Sequence, residues 1–417
     1  MKFILYLIIF FSLLAACRPA SDDRNSATPA QVRDIAGSFA YDIEFLDKYL
    51  DDMIVLWDKD SSAGIIIAPE YQGRVMSSTS GGGEGFSYGW INYDLIASGE
   101  TREHINPYGG EDRFWLGPEG GQYAIFFDEG EEFTFENWQT PAALDTEPFS
   151  LVSSSEREVS FSKKMQLTNY SGFRFSLSVD RTISLLDRQA AADLLQADIP
   201  DDINMVAFAS ENSITNEGEQ AWENESGLLS IWILGMFRHS PATTVVIPYR
   251  QEAAEDVPVV NADYFGTVPE ERLKVENGFI FFKGDGAYRS KIGVGPERAL
   301  PEMGSYDAER EVLTIVSFSL PEEAEDYVNS MWELQDHPYE GDVINSYNDG
   351  PLEGEEAQLG PFYELESSSP AAALSPGESL SHSHTTLHFS GEPATLNKLS
   401  REILGIGINE IKAVFNE

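Results

Sequence analysis

Residues 341–389 read GDVINSYNDGPLEGEEAQLGPFYELESSSPAAALSPGESLSHSHTTLHF. Polar side chains crowd into short strand-like runs here. Asn345, Asn348 and Asp349 come first, then Glu364 and Glu366, then His382, His384 and His388. Phe362-Tyr363-Glu364-Leu365-Glu366 has the pattern of a strand, and side chains alternate faces along a strand, so Phe362, Glu364 and Glu366 share one side. A strand that turns two carboxylates to one side is either a solvated edge or the floor of a site. Ser367-Ser368-Ser369-Pro370 ends it. Residues 374–378 (LSPGE) form a tight turn, since Pro presets φ and Gly permits positive φ. The chain then returns over 381–389.

Outward from this stretch, strand patterns dominate. Val159, Phe161, Met165 and Leu167 alternate with polar residues, as do Phe173, Phe175, Leu177 and Val179. Asn169-Tyr170-Ser171-Gly172 joins them, which predicts a hairpin over 159–183. Further strands are expected at 54–57, 64–68, 205–215, 243–248 and 312–320, and a buried one within the apolar run 227–237. Residues 279–293 read strand, turn, strand around Gly284-Asp285-Gly286. Lys283, Arg289 and Lys291 surround that turn as the one basic cluster in an acidic chain. They make either a solvated hairpin tip or a patch that meets an acidic sugar or pairs with the site carboxylates. Short helices are expected at 45–50, at 187–197 and near the C-terminus around Leu396, Leu399 and Ile403, the last capped by Thr395. With no short repeat and no long linker, residues 36–417 read as a single, mostly antiparallel β domain with a few short helices. The 17 Tyr, 25 Phe, 34 Gly and 21 Pro suit such a turn-rich β fold.

Residues 109–121 (GGEDRFWLGPEGG) combine Gly, charge and aromatic residues. Either Arg113 pairs with Glu111 or Asp112 and Trp115 is core, or Glu111, Arg113, Trp115 and Glu119 gather beside a cleft. There a Trp face would stack on a sugar while charged groups bond its hydroxyls. Residues 77–85 (SSTSGGGEG) hold Glu84, no Lys and no following helix pattern, so a phosphate loop is rejected. A loop lip beside Trp90 is expected instead.

The chain of 417 residues carries 27 basic and 70 acidic residues, a net charge of -43. Such a chain repels nucleic-acid phosphates and an anionic membrane surface. Lys2 followed by an apolar run over 3–14 is a signal peptide, too short for a permanent span. Leu14-Ala15-Ala16-Cys17 resembles a bacterial lipobox. We expect a signal peptide over 1–17, a lipid on Cys17 and a polar tether over 18–35. The folded part would then stand on a membrane face of the cell envelope, periplasmic or cell-surface, as a monomer. Cys17 is the only cysteine, so no internal disulfide or cysteine metal site forms.

Three segments carry a family resemblance. Residues 71–78 (YQGRVMSS), 214–218 (ITNEG) and 363–379 (YELESSSPAAALSPGES) resemble, in order and rough spacing, strands of galactose mutarotase-like (aldose epimerase-like) proteins. GGEDRFWLGPEGG, INSYNDGP and FYELESSSP are similar to signatures of a bacterial lipoprotein family within that superfamily. The resemblance implies an antiparallel β-supersandwich with a saccharide cleft on the concave face of one sheet. It implies a general base at Glu366 or Glu364. Two carboxylates at i, i+2 repel, so one would hold its proton near neutral pH. The family's acid, a His, has no counterpart, because residues 230–235 read SIWILG and Trp232 transfers no proton. His384, or His382 beside it, is the substitute expected, or a metal ligand with Glu366, although an isolated His-x-His on a strand is more often structural. Arg74, Trp90, Glu111, Arg113, Trp115, Glu119, Asn345, Asn348 and Asp349 are the expected substrate contacts, with Trp90, Trp115 and Trp138 as stacking platforms. No cofactor is assigned. Two functions follow: acid/base chemistry on a saccharide, of epimerase, lyase or hydrolase type, or glycan binding without chemistry.

Overall fold

A computed structural model describes residues 37–254, 257–351 and 358–415. Cys17, the expected signal peptide and the tether lie outside the described residues. The fold is mostly β, with large antiparallel sheets and a few short helices, as the resemblance implies.

Period-two patterning builds the larger sheet. Val159, Phe161, Met165 and Leu167 are buried along Glu158–Thr168, which pairs antiparallel with Arg174–Leu185. The Asn169 side chain accepts from the Phe173 amide at 2.9 Å and closes the predicted turn. Ten strands follow in the spatial order Leu273–Glu276, Phe279–Lys283, Thr243–Pro248, Glu302–Asp307, Val312–Phe318, Ser379–Ser390, Asn204–Asn216, Arg174–Leu185, Glu158–Thr168 and Ser150–Ser154. The smaller sheet has five: Ser290–Val294, Ile344–Asn348, Phe362–Ser368, Ser230–Arg238 and Arg113–Gly117. A third sheet, Ile54–Trp57, Gly64–Ala68 and Arg74–Thr79, touches it through the Val75–Asp112 bridge.

Apolar side chains fill the space between the two large sheets. Phe237, Ile292, Ile344 and Leu365 of the smaller sheet pack with Val245, Phe282, Met303 and Val316 of the larger. On the larger sheet's outer face, Leu313, Ile315, Leu387 and Phe389 meet Leu396, Leu399 and Ile411 of the helices Pro393–Ile403 and Ile408–Ala413. Burial of this kind is worth roughly 25 cal/mol per Å² of apolar surface and dominates the stability of such layered folds.

The strand Phe362–Ser368 lies at the centre of the smaller sheet with every residue buried, which removes the solvated-edge alternative. Its core-facing side chains fasten it to the larger sheet. The Tyr363 hydroxyl lies 2.8 Å from Ser305 Oγ, and Ser367 Oγ lies 2.8 Å from both His382 and His384. Arg113 is fixed from below by its neighbour Asp112, which pairs with the fully buried Arg181. Arg181 also donates to Asn212 Oδ1 at 2.6 Å and to the Gly73 carbonyl at 3.3 Å.

Three local expectations are corrected. Residues 279–293 do not form a hairpin, because Phe279–Lys283 belongs to the larger sheet and Ser290–Val294 to the smaller. The chain crosses between layers there, and Lys291 becomes buried rather than solvated. The C-terminal helix begins at Pro393 after Glu392, so Thr395 lies inside its first turn instead of capping it. Residues 81–85 close on the first helix, Phe39–Tyr49, whose Phe39 and Ala40 amides donate to the Gly85 and Gly83 carbonyls.

Candidate functional site

The outward face of the smaller sheet carries the site. Phe114, Ile233, Leu365 and Ile292 point into the core, so their alternates point out. Register then decides who meets whom. Leu234 stands opposite both Arg113 and Glu366, while Tyr347 stands opposite both Glu364 and Lys291. Trp115 stands opposite Trp232. A cleft of about 440 Å³ opens over this face, with Phe135, Trp138, Trp332 and Leu359 on its walls. That volume falls in the range of small-ligand sites.

Two ion pairs span the floor. Arg113 Nη2 lies 3.1 Å from Glu364 Oε1, and its guanidinium stacks 4.2 Å from the Trp115 ring centroid. Lys291 Nζ lies 3.2 Å from Glu366 Oε2 and 4.6 Å from the Trp232 ring centroid. Trp232 Nε1 donates to the same Glu366 oxygen at 2.9 Å, and Glu366 Oε1 has no protein partner. Glu364 lines the cleft, whereas Glu366 is fully buried beside Lys291 and Trp232, which do line it.

The two carboxylates therefore sit in unlike surroundings. Burial pushes the Glu364 carboxyl up to about 8; Arg113 opposes this and Glu366 reinforces it. Burial pulls the Lys291 ammonium down, but Glu366, Glu119 and Glu364 together outweigh it and hold it above the usual lysine value. Burial also raises Glu119 and Asp349. Asp349 accepts from the Tyr347 hydroxyl at 2.5 Å and from the Gly360 amide at 2.8 Å. A carboxyl that titrates near neutrality beside a fixed cation is equipped to transfer a proton.

Of the expected site residues, Arg113, Trp115, Glu119, Asp349 and Glu364 line the cleft. Arg113 pairs with Glu364 across the sheet and with neither Glu111 nor Asp112. Asn345 shares the outward face but turns to a small polar recess with Asp342 and Tyr264, its Nδ2 3.3 Å from the Tyr264 hydroxyl.

The others stand elsewhere. Arg74 is fully buried and donates to the Gly109 carbonyl and Gln72 Oε1. Trp90 packs on Phe362 at 4.7 Å behind the cleft wall, and none of residues 77–85 forms a lip there. Glu111 is buried on the core side, accepting from Ser78 and facing His388 Nε2 at 2.8 Å. Asn348 points to the opposite face, where it donates to the Tyr288 carbonyl. His384 lies behind Phe362–Ser368, its Nδ1 on Ser367 and its Nε2 without a partner. Burial lowers His382 and His384 to about 3 and about 4. They are neutral core residues, and neither lines the cleft. His239 is held by the Pro361 carbonyl and does not line it either.

The sequence pattern points to no site role for Trp232 or Trp332, and leaves Arg289 and Lys291 between a solvated hairpin tip and a patch that meets an acidic sugar or pairs with the site carboxylates. The spacing of Arg289 and Lys291, two apart at the start of one strand, was the available signal. Only the crossing between sheets turns it inward. Among the described residues no group of three or more His, Cys, Asp or Glu is placed to hold a metal ion.

The molecule is thus a mostly β protein whose two larger sheets pack face to face, with an aromatic, ion-paired cleft on the outer face of the five-stranded one. Solved structures of similar fold include the Slr1438 protein of Synechocystis sp. PCC 6803, at 14% identity and a TM-score of 0.49, covering 82% of this chain and 98% of that one. A galactose mutarotase-like protein from Lactobacillus casei ATCC 334 aligns at 12% identity and a TM-score of 0.46, over 81% of this chain and 100% of its own. The galactose mutarotase related enzyme from Lactobacillus acidophilus aligns at 8% and 0.43, over 82% and 98%. No curated protein matches the chain. Residues 37–415 match the family described as "Family of unknown function (DUF6786)", and the chain belongs to that family.

Proposed function

We propose that the cleft binds a saccharide and that the chain carries out acid/base chemistry on it, with Glu364 transferring the proton. The carrying observation is that Glu364 lines an aromatic-walled cleft with its carboxyl pushed up to about 8. A group protonated at neutral pH can give its proton to a ring or glycosidic oxygen, a step shared by epimerase, lyase and hydrolase chemistry. Glu366 has the other task. It holds Lys291 charged and in place on the same sheet face, where the ammonium can steady negative charge on a ligand oxygen. Trp115 and Trp332 supply ring faces beside these groups, the mixture that apolar sugar faces and hydroxyls require.

The test is turnover on a saccharide panel followed by NMR. Glu364→Gln should lower turnover by about 100-fold or more while circular dichroism stays unchanged. Full turnover in this variant would remove Glu364 from the chemistry.

One observation favours the second reading, a glycan-binding protein without chemistry: among the described residues no histidine lines the cleft. Saturable binding with no product from any bound sugar would establish it. Either way, we propose a monomer held at the cell envelope by a lipid on Cys17. Mass spectrometry of the membrane-extracted chain should show a lipidated Cys17 at its N-terminus, and an unmodified, soluble chain would refute the anchor.

A further inference from the structure

We infer that the saccharide taken by this cleft carries an anionic group and that Arg289 receives it. The inference rests on the saccharide reading above and adds the class of sugar. Arg289 immediately precedes the strand Ser290–Val294 that carries Lys291, and both side chains line the cleft. Lys291 has Glu366 and Arg113 has Glu364, each within ion-pair distance. Arg289 forms no ion pair or hydrogen bond among the described residues, and its Nε is buried without a partner. Its guanidinium lies over the Phe265 ring, 4.6 Å from the centroid.

Two cleft carboxyls, Asp349 and Glu119, feel the Arg289 charge without closing an ion pair with it. Asp349 is engaged by Tyr347 and Gly360, and Glu119 lies within the influence of Lys291 and Glu366. Neither reaches ion-pair distance of Arg289. In a chain with 70 acidic and 27 basic residues, carboxylates are abundant, so a cleft guanidinium with no ion pair among the described residues is a specific feature. The Phe265 ring orients the group, and no described residue is hydrogen-bonded to its N–H fork. That fork matches a carboxylate, sulfate or phosphate in two parallel hydrogen bonds.

Calorimetry with matched pairs tests it: an oligogalacturonate against its methyl ester, and a sulfated oligosaccharide against its desulfated form. At least one anionic member should bind about tenfold or more tightly than its neutral partner. Arg289→Gln should erase that preference and Arg289→Lys should restore part of it. Which pair discriminates tells carboxylate from sulfate. Equal binding within both pairs overturns the inference and leaves the saccharide reading standing, whereas no binding by any member overturns both. The wild-type comparison needs no variant, so poor folding of Arg289→Gln would not blunt the test.

Discussion

Lys291 Nζ stands 3.2 Å from Glu366 Oε2, joining residues 75 positions apart across the intervening strand Ile344–Asn348. Trp232 Nε1 reaches the same oxygen from the other side. The pair is nearly enclosed, so its Coulomb attraction is weighed against a large desolvation cost, and losing one partner leaves an uncompensated buried charge. Lys291→Met is therefore expected to cost about 3–5 kcal/mol in urea unfolding. Adding Glu366→Gln should recover more than half of that loss. A single variant as stable as the double would show that the pair contributes nothing.

Glu364 makes stability depend on pH with a defined sign. Its folded pKa is raised from 4.5 to about 8, chiefly by burial. The folded state therefore keeps a proton that the unfolded chain has already released. Its contribution is complete below pH 4.5 and is lost as pH rises toward about 8. The stability of wild type relative to Glu364→Gln should fall across that window in denaturant titrations. A difference that stays constant would place the carboxyl in an ordinary environment.

The two core histidines act in the opposite direction. His382 and His384 are lowered from 6.5 to about 3 and about 4, mainly by burial. The unfolded chain takes up protons that the folded chain refuses, so stability is present above pH 6.5 and is lost as pH falls toward about 4. A His382→Gln/His384→Asn variant is expected to be less sensitive to acid over that range. Equal acid sensitivity of variant and wild type, by calorimetric melting, would contradict this.

Arg74 separates stability from binding. It is fully buried and bonds the Gly109 carbonyl and Gln72, away from the cleft. Arg74→Met should lower stability by about 1–3 kcal/mol and leave saccharide affinity within about twofold of wild type, since surface and core changes at independent sites add. A large loss of affinity at unchanged stability would return Arg74 to the site.

Strand periodicity made the frame legible. The alternation at 159–179 and 312–320, and the turn at Asn169, follow from which side chains must be buried. The same rule put Glu364 and Glu366 on one face, and their mutual repulsion pointed to one retained proton. Periodicity does not say which strand lies beside which. Arg113 and Glu364 meet only because Ser230–Arg238 lies between their strands, a pairing over 251 positions. Lys291 was ambiguous for the same reason, since a strand-turn-strand pattern looks alike whether its arms pair or enter different layers. His384 misled because a polar residue in a strand pattern can face a buried network as readily as a cleft. Ser367, next to Glu366 but on the other face, is what holds it there.

The most direct test is a carbon-13 NMR titration of the Glu364 side-chain carboxyl, assigned by comparison with Glu364→Gln. The expected midpoint is about 8. A midpoint in the ordinary glutamate range, near 4.5, would contradict the account, because Glu364 would then hold no proton to give up at neutral pH.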